Sequence, residues 1–512
     1  MLGTPRYILR LLHIVWTLAR HGAFTPLEHV PHAPGTLIRL AGLLRKRSLD
    51  SQRPGERMAA ALVALGPSFV KLGQSVATRP DLVGEQTAHD LSRLQHSLEP
   101  FPAEQARATF ESEIGGPVGH FFLEFNDIPV AAASIAQVHR AVTTDGRDVA
   151  VKILRPQIEA RFARDLGLFR WASRLMDRSL PWIRWLRPVE VVELFAETVT
   201  LELDLRLEAA AASELARNFE GDADFKVPEV DWQRTRRRVF TLEWLDGTRP
   251  DDREVVHLAG HDPDEVVRKS AVIFFQQVFR DGFFHADMHP GNVLILDDGR
   301  IAPLDFGIMG RLDLPTRHIL ADVLSSLLSS DYLQVASVYH RAGFLPRHKS
   351  VDAFAQACRA ICEPILGRPL GEISLARLLG HMLQVTRQFD MEVQPQLLIL
   401  QKTMVVAEGV GRHLSDQVNI WDIAHPLIEN WMRDTRSPGA QARQIAGYAT
   451  DFSRRIPVHL IQAEQVIRDL STGGMRLHPE TLREMGGGRN GGLQPTWVIL
   501  LLAVLLVLAL FD

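Results

Sequence analysis

His285-Ala286-Asp287-Met288-His289-Pro290-Gly291-Asn292 is the stretch on which the reading of this sequence turns. An aspartate is followed five residues later by an asparagine, and a proline and a glycine bend the chain between them. Asp305-Phe306-Gly307 follows, thirteen residues after Asn292. Between them, Asn292 to Leu304 reads as two short strands around the turn Asp297-Asp298-Gly299. Such a hairpin brings Asn292 and Asp305 together, and the residue types then fit phosphoryl transfer. Asp287 accepts a proton or orients a nucleophile, while Asn292 and Asp305 hold a magnesium ion that bridges nucleotide phosphates. A competing reading takes His285, Asp287 and His289 as metal ligands, because alternate side chains of an extended strand share a face. It leaves Pro290-Gly291-Asn292 without a role.

Upstream, Val149 to Leu154 and Val138 to Val142 flank Thr144-Asp145-Gly146, a hairpin signal. The second strand carries Val149-Ala150-Val151-Lys152. A lone strand lysine is usually a solvated edge charge. Placed ahead of the two motifs above, Lys152 matches the strand lysine that holds the α- and β-phosphates in protein kinases. The segment before it, Ala131-Ala132-Ala133-Ser134, stands where a phosphate-covering loop is expected, and it contains no glycine. Glycine lets backbone N–H groups approach phosphate without a Cβ in the way, so the phosphate geometry here should differ. The alternative is a small-residue strand end packed on a neighbour.

Two further groups of residues belong to helical stretches. Lys71-Leu72-Gly73-Gln74 lies in the extension that precedes the strands, and taken alone it is a solvated helix end. Glu202, Asp204 and Glu208 lie on the helix that follows them. Asp204 and Glu208 are four apart and share a face of a regular helix, whereas Glu202 is turned away. One face cannot carry all three unless the helix distorts, so one acid pairs with Lys152 and another meets a different partner. The bland alternative is a charged solvent face. No Ala-Pro-Glu follows Asp305-Phe306-Gly307, so a conventional platform for a peptide substrate is not evident.

The order of elements agrees with this. Pro54 to about Phe110 is helical, Gly119 to Leu154 is β-type, and Ile158 to Phe219 is helical around a break near Ser179 to Pro188. Val239 to Trp244 is a strand, Val266 to Phe284 a helix, and the chain beyond Asp313 is helical almost to Leu470. A small sheet followed by a helical body is the order of an α+β, bilobal protein-kinase-like fold. At 512 residues the chain exceeds one ordinary domain. Its 57 basic and 61 acidic residues leave a net charge of −4, which excludes a general nucleic-acid binder. Cys358 and Cys362 lack further ligands nearby and read as packed thiols.

Both ends are unusual. Met1 to Phe24 mixes helically spaced apolar residues with Arg6, Arg10 and Arg20, which fits a membrane-surface helix or an ordinary docking helix. Trp497 to Phe511 is an unbroken apolar run behind a Gly-rich linker. As a helix it reaches about 22 Å, short of a hydrocarbon core of about 30 Å. We read it as a C-terminal membrane anchor. Arg483 and Arg489 precede it, which places the body of the protein in the cytoplasm.

Taken together, Lys71 to Gln74, Ala131 to Ser134, Glu202 to Asp204 and His285-Ala286-Asp287 resemble the UbiB family of atypical kinase-like ATPases, strongly over Pro54 to Gly310. The resemblance implies Glu208 as the partner of Lys152, with Glu202 and Asp204 meeting the extension near Lys71, Gln74 included, as a regulatory element. It implies ATP and Mg2+ as cofactors and a membrane-associated ATPase supporting ubiquinone biosynthesis. The expected partners are membrane lipids, quinone precursors and quinone-biosynthesis enzymes, with a homodimer as the assembly and the bacterial inner membrane as the location. The expected organisation is an N-terminal segment 1–50, an extension 51–118, an N-lobe 119–245 with inserted helices and a C-lobe 246–480. A linker 481–495 and an anchor 496–511 complete it. Two rivals stand beside the ATPase: a true protein or small-molecule phosphotransferase, and a nucleotide-switched membrane scaffold.

Overall fold

A computed structural model describes residues 4–23, 52–77, 85–92, 99–179, 187–366, 395–415, 417–418, 420–437 and seven positions between 380 and 391. The expected linker 481–495 and anchor 496–511 lie outside these residues. Among the described residues no helix is long and apolar enough to cross a membrane.

The chain is a mixed helix-and-sheet fold. Helices α1 (Thr4–His21), α2 (Pro54–Leu65), α3 (Pro67–Ala77), α4 (Glu85–Ser92) and α5 (Ala103–Ile114) come first. A five-stranded antiparallel sheet follows, with β1 (Phe122–Phe125), β3 (Ala136–Thr143), β4 (Asp148–Leu154) and β5 (Val239–Glu243) in that order and β2 (Ala131–Ala132) paired on β3. Between β4 and β5 run α6 (Ile158–Ser179), α7 (Pro188–Glu202) and α8 (Leu205–Asn218).

The hairpin read from Thr144-Asp145-Gly146 forms as expected. Gly146 adopts a left-handed φ of 82°, and its N–H donates to the Thr143 carbonyl at 2.9 Å. Alternation along β4 then decides what Lys152 faces. Val149, Val151 and Ile153 turn towards α5 and pack with Phe101 and Phe110. Ala150 and Lys152 therefore point to the opposite side of the sheet. Full burial of a side chain such as Phe110 contributes about 1.5–3 kcal/mol, which fixes this register.

Helix α1 docks rather than standing free. Ile14 and Leu18 are buried against α2 and α6, and the Arg10 guanidinium donates to Asp165 (3.2 Å) and to the Leu65 carbonyl (3.1 Å). Its other side leaves Ile8, Leu9, Leu12 and Trp16 exposed.

The second half begins with α9 (Arg253–Leu258) and α10 (Pro263–Phe275). The expected helix over Val266 to Phe284 ends early. A π-type turn, Gln276–Asp281, leads to Gly282 in the left-handed region (φ 65°), and Phe283–His285 is strand β6. Short ladders follow: β7 (Val293–Ile295) with β8 (Ile301–Pro303), and β6 with β9 (Met309–Arg311). Helices α11 (Leu314–Leu328), α12 (Tyr332–Arg341), α13 (Val351–Leu366), α14 (Pro395–Leu414) and α15 (Ile420–Arg436) pack behind them. Cys358 and Cys362 are free and fully buried in that core, and burial pushes their thiols up to about 12 and about 11. They are inert packed groups, as their isolation in the sequence implied.

Candidate active site

Lys152 and Glu208 meet across the face of the sheet that α5 leaves open. Helix α8 starts where it does because Asp204 caps it, accepting the Arg206 N–H at 3.2 Å. That cap sets Glu208 on the first turn, where it is buried, with Oε1 2.6 Å from Lys152 Nζ. The same ammonium lies 3.5 Å from Asp305 Oδ2, and Glu208 also accepts the Phe306 N–H at 3.3 Å.

Two carboxylates thus share one ammonium. Burial alone would lower Lys152, but Asp305 and Glu208 outweigh it and raise it above its ordinary range. Burial, opposed by Lys152 and reinforced by Asp305, pushes Glu208 up to about 7. Burial also works against the ionised form of Asp305, yet Lys152 and the Gly307 N–H (2.9 Å) hold its carboxyl well below the usual range. The cluster carries an excess of negative charge that a second cation would relieve.

The loop from His285 to Asn292 is built around the buried His285 ring. Its Nδ1 accepts the Asp287 N–H at 3.1 Å, so its Nε2–H is left to donate to the Asp305 carbonyl. Burial keeps this ring neutral by lowering its pKa. Both ring nitrogens are therefore committed, and one imidazole ties the Asp287 loop to the Asp305 segment. That overturns the competing metal reading of His285, Asp287 and His289; among the described residues no group of three such side chains could hold an ion. His289 instead caps the turn Pro290–Asn292, its Nδ1 accepting the Gly291 N–H at 3.0 Å.

Asn292 and Asp305 come together as the hairpin required, with the Leu304 N–H donating to the Asn292 carbonyl at 2.8 Å. The Asn292 amide donates to the Asp287 carbonyl at 3.2 Å, which leaves its Oδ1 as an oxygen ligand. Asp305 keeps its side chain 43% exposed. An amide oxygen and an exposed carboxylate suit a hard cation that takes its remaining ligands from phosphate and water, so the residues present fit Mg–ATP.

The alanine-rich loop is a tight return. Ala131 and Ala132 pair with Val138 and Gln137, and the Ala133 N–H donates to the Ala136 carbonyl at 2.8 Å. The Ala133 carbonyl is held by the Arg155 guanidinium at 3.0 and 3.1 Å, and Ser134 is buried. The loop lies one strand over from Lys152, whose register partner is Val138.

The three acids separate because the helix breaks. Helix α7 ends at Glu202 and α8 begins at Leu205, so the expectation that Asp204 and Glu208 share a helix face fails. Glu202 pairs with Lys71 at 2.6 Å. Asp204 instead caps α8, and among the described residues its ion pair is with Arg206 at 2.6 Å. Gln74 sits one turn beyond Lys71 on α3.

Two residues that no motif indicated reach the loop from α14. Lys402 Nζ lies 3.1 Å from Asp287 Oδ1, and the Thr403 hydroxyl shares its proton between the Ala286 carbonyl at 3.1 Å and the Ile399 carbonyl of its own helix at 2.9 Å. Behind the loop lies a mostly apolar cavity of about 90 Å³, between Phe274 and Phe275 of α10, Met288 and Pro290, and Met404 and Gly411 of α14.

Residues 93–339 match the family described as the ABC1 atypical kinase-like domain, and residues 358–419 match the UbiB helical domain. A "Probable protein kinase UbiB" of Marinobacter nauticus is 40% identical over 457 residues, covering 88% of this chain and 83% of that protein. A protein of the same name from Aliivibrio fischeri is 38% identical, covering 89% and 85%, and one from Xylella fastidiosa is 39% identical, covering 80% and 77%. Among solved structures, the complex of Rv3197 with erythromycin from Mycobacterium tuberculosis is 26% identical, covers 70% of this chain and 90% of that one, and superposes with a TM-score of 0.48.

Proposed function

Because this chain belongs to the UbiB family of atypical kinase-like proteins, we propose that it is a membrane-associated ATPase that supports ubiquinone biosynthesis. The observation that carries the reading is the cluster of Lys152, Glu208 and Asp305 facing the Asp287–Asn292 loop. Lys152 holds the nucleotide phosphates, and Glu208 keeps its ammonium aimed at them. Asn292 and Asp305 hold Mg2+, which when bound supplies charge neutralisation on the phosphates. Asp287 orients the water that attacks the terminal phosphoryl group. Ala131 to Ser134 cover the phosphates from the side of β3.

Hydrolysis is preferred over transfer for three reasons. The covering loop lacks glycine, the motif for a peptide platform is missing, and the Lys71–Glu202 pair straps the extension onto α7. The product would be conformational work. We place it at the cytoplasmic face of a bacterial inner membrane, where it would bring quinone precursors and the enzymes that act on them together, as a homodimer. Trp497 to Phe511 would supply the attachment.

The test is genetic. Cells lacking this gene should regain ubiquinone when supplied with the wild-type chain and fail to regain it with Asp305→Asn. Normal quinone levels with Asp305→Asn would overturn the ATPase mechanism. A second reading, phosphotransfer, is favoured by the intact Asp287 and by the protein-kinase name that the relatives carry. Label from γ-labelled ATP appearing on protein or lipid rather than as free phosphate would select it.

A further inference from the structure

We propose that Lys402 is a positioning residue for the reaction, delivered to Asp287 by the helical segment that follows the kinase-like domain. The inference rests on the ATPase reading above. Lys402 Nζ reaches Asp287 Oδ1 at 3.1 Å, and both side chains are mostly buried. The next residue reaches the backbone of the same loop, the Thr403 hydroxyl lying 3.1 Å from the Ala286 carbonyl and sharing its one proton with the Ile399 carbonyl of its own helix at 2.9 Å. Two consecutive residues of α14 thus contact both the carboxylate and the peptide that carries it.

The helix cannot easily withdraw. Leu400 and Met404, on either side of Lys402, are buried in the core behind the loop, and Leu414 at the far end is buried in the core beneath the sheet. Lys402 is thus a cation fixed by packing, on a segment beyond the 93–339 match and inside the 358–419 match. With one oxygen bound to Lys402, the Asp287 carboxylate has a single orientation. Its Oδ2, 3.9 Å from the His289 ring, is left to align the attacking oxygen. A fixed ammonium beside the reacting centre also offsets charge that develops on the transferring phosphoryl group.

The interaction is made with Asp287 and not with the phosphate-binding lysine cluster. Its loss should therefore fall on turnover and spare nucleotide binding. The full-length protein is assayed for Mg2+-dependent phosphate release with lipid vesicles present, beside nucleotide affinity by calorimetry and thermal unfolding. Lys402→Gln and Lys402→Met should each lower kcat at least 30-fold, with the affinity for Mg–ATP changed less than threefold. Lys402→Arg should recover at least tenfold of that loss. In an Asp287→Asn background, Lys402→Gln should cost less than threefold more. Two results overturn the proposal: Lys402→Gln retaining kcat within threefold of wild type, or Arg and Gln variants equally impaired and equally destabilised, which is a packing role. A wild-type protein that binds Mg–ATP and releases no phosphate overturns the parent ATPase reading and the proposal with it; an active wild type with an active Lys402→Gln overturns the proposal alone.

Discussion

Lys71 and Glu202 form an ion pair at 2.6 Å, with side chains only 15% and 11% exposed. Lys71 sits on α3 of the extension, and Glu202 is the last residue of α7, just before the break that lets α8 present Glu208 to Lys152. The extension is thereby fastened to the end of α7, next to the helix whose Glu208 holds Lys152. Leu72 packs on the core beneath the sheet and reinforces the same contact.

Removing one partner leaves the other charge nearly buried and unpaired. Lys71→Met should destabilise the protein by about 1–3 kcal/mol. Paired with Glu202→Gln in a double-mutant cycle, it should show a coupling of at least about 1 kcal/mol, because residues in direct contact do not contribute additively. Urea unfolding of the four proteins checks this. Additive losses would mean that the pair holds nothing together.

Glu208→Gln keeps the shape of the site and removes one of the two anions that share Lys152. The ammonium would then pair with Asp305 alone, in competition with the metal ion. The Mg2+ concentration for half-maximal ATP binding should rise several-fold. Calorimetric titrations at several Mg2+ concentrations decide it, and an unchanged requirement would count against the sharing.

The histidine at position 139 makes a prediction about pH. Phe101 fixes the Gln137 amide with hydrogen bonds of 3.0 and 3.2 Å, so Gln137 Nε2 donates to His139 Nε2 (2.8 Å) and His139 Nδ1–H donates to the Asn126 carbonyl (2.8 Å). Burial lowers the His139 pKa, and a proton on Nε2 would face a donor. The unfolded chain binds that proton from about pH 6.5 downwards while the folded chain resists it, so this stability is present above pH 6.5 and is lost as pH falls. The stability advantage of wild type over His139→Gln should shrink between pH 7.5 and 5.5, by up to about 1.4 kcal/mol per unit. Taking the difference cancels Glu208, whose raised pKa acts in the opposite sense over the same range. A constant difference would refute a neutral, donor-facing His139.

Gly310 pairs with Phe284 across β6 and β9, and a Cβ there would overlap the buried Phe284 ring. Gly310→Ala should destabilise by about 1–3 kcal/mol. Because Phe284 precedes His285, turnover should fall as well. Gly119→Ala, where the added methyl meets nothing within 4 Å, is the control and should stay within about 0.5 kcal/mol of wild type. Equal behaviour of the two variants would show that Phe284 is free to retreat.

The parts of the site legible in the sequence are those that local spacing constrains. The Asp287–Asn292 interval, the hairpin to Asp305 and the turn before Lys152 are short-range features, and the backbone follows them. The break between Glu202 and Leu205 was not legible, since no glycine or proline marks it; it arises because Asp204 caps the next helix. Strand β6 was hidden for a similar reason. Phe283 and Phe284 continue the apolar pattern of α10, and only the left-handed Gly282, where a Cβ would meet the Leu312 carbonyl, ends the helix. Lys402 lies 115 positions after Asp287 in an ordinary helical pattern, and only the packing of α14 brings the two together.

The central claim is that Lys152, Asp287, Asn292 and Asp305 form a working ATPase centre. It is tested most directly by phosphate release from γ-labelled ATP by the full-length protein with lipid vesicles, in wild type and Asp305→Asn. The account predicts Mg2+-dependent release by wild type and its loss in Asp305→Asn, with both proteins folded. Equal release by the two proteins, or none by a wild type that binds nucleotide, would contradict it.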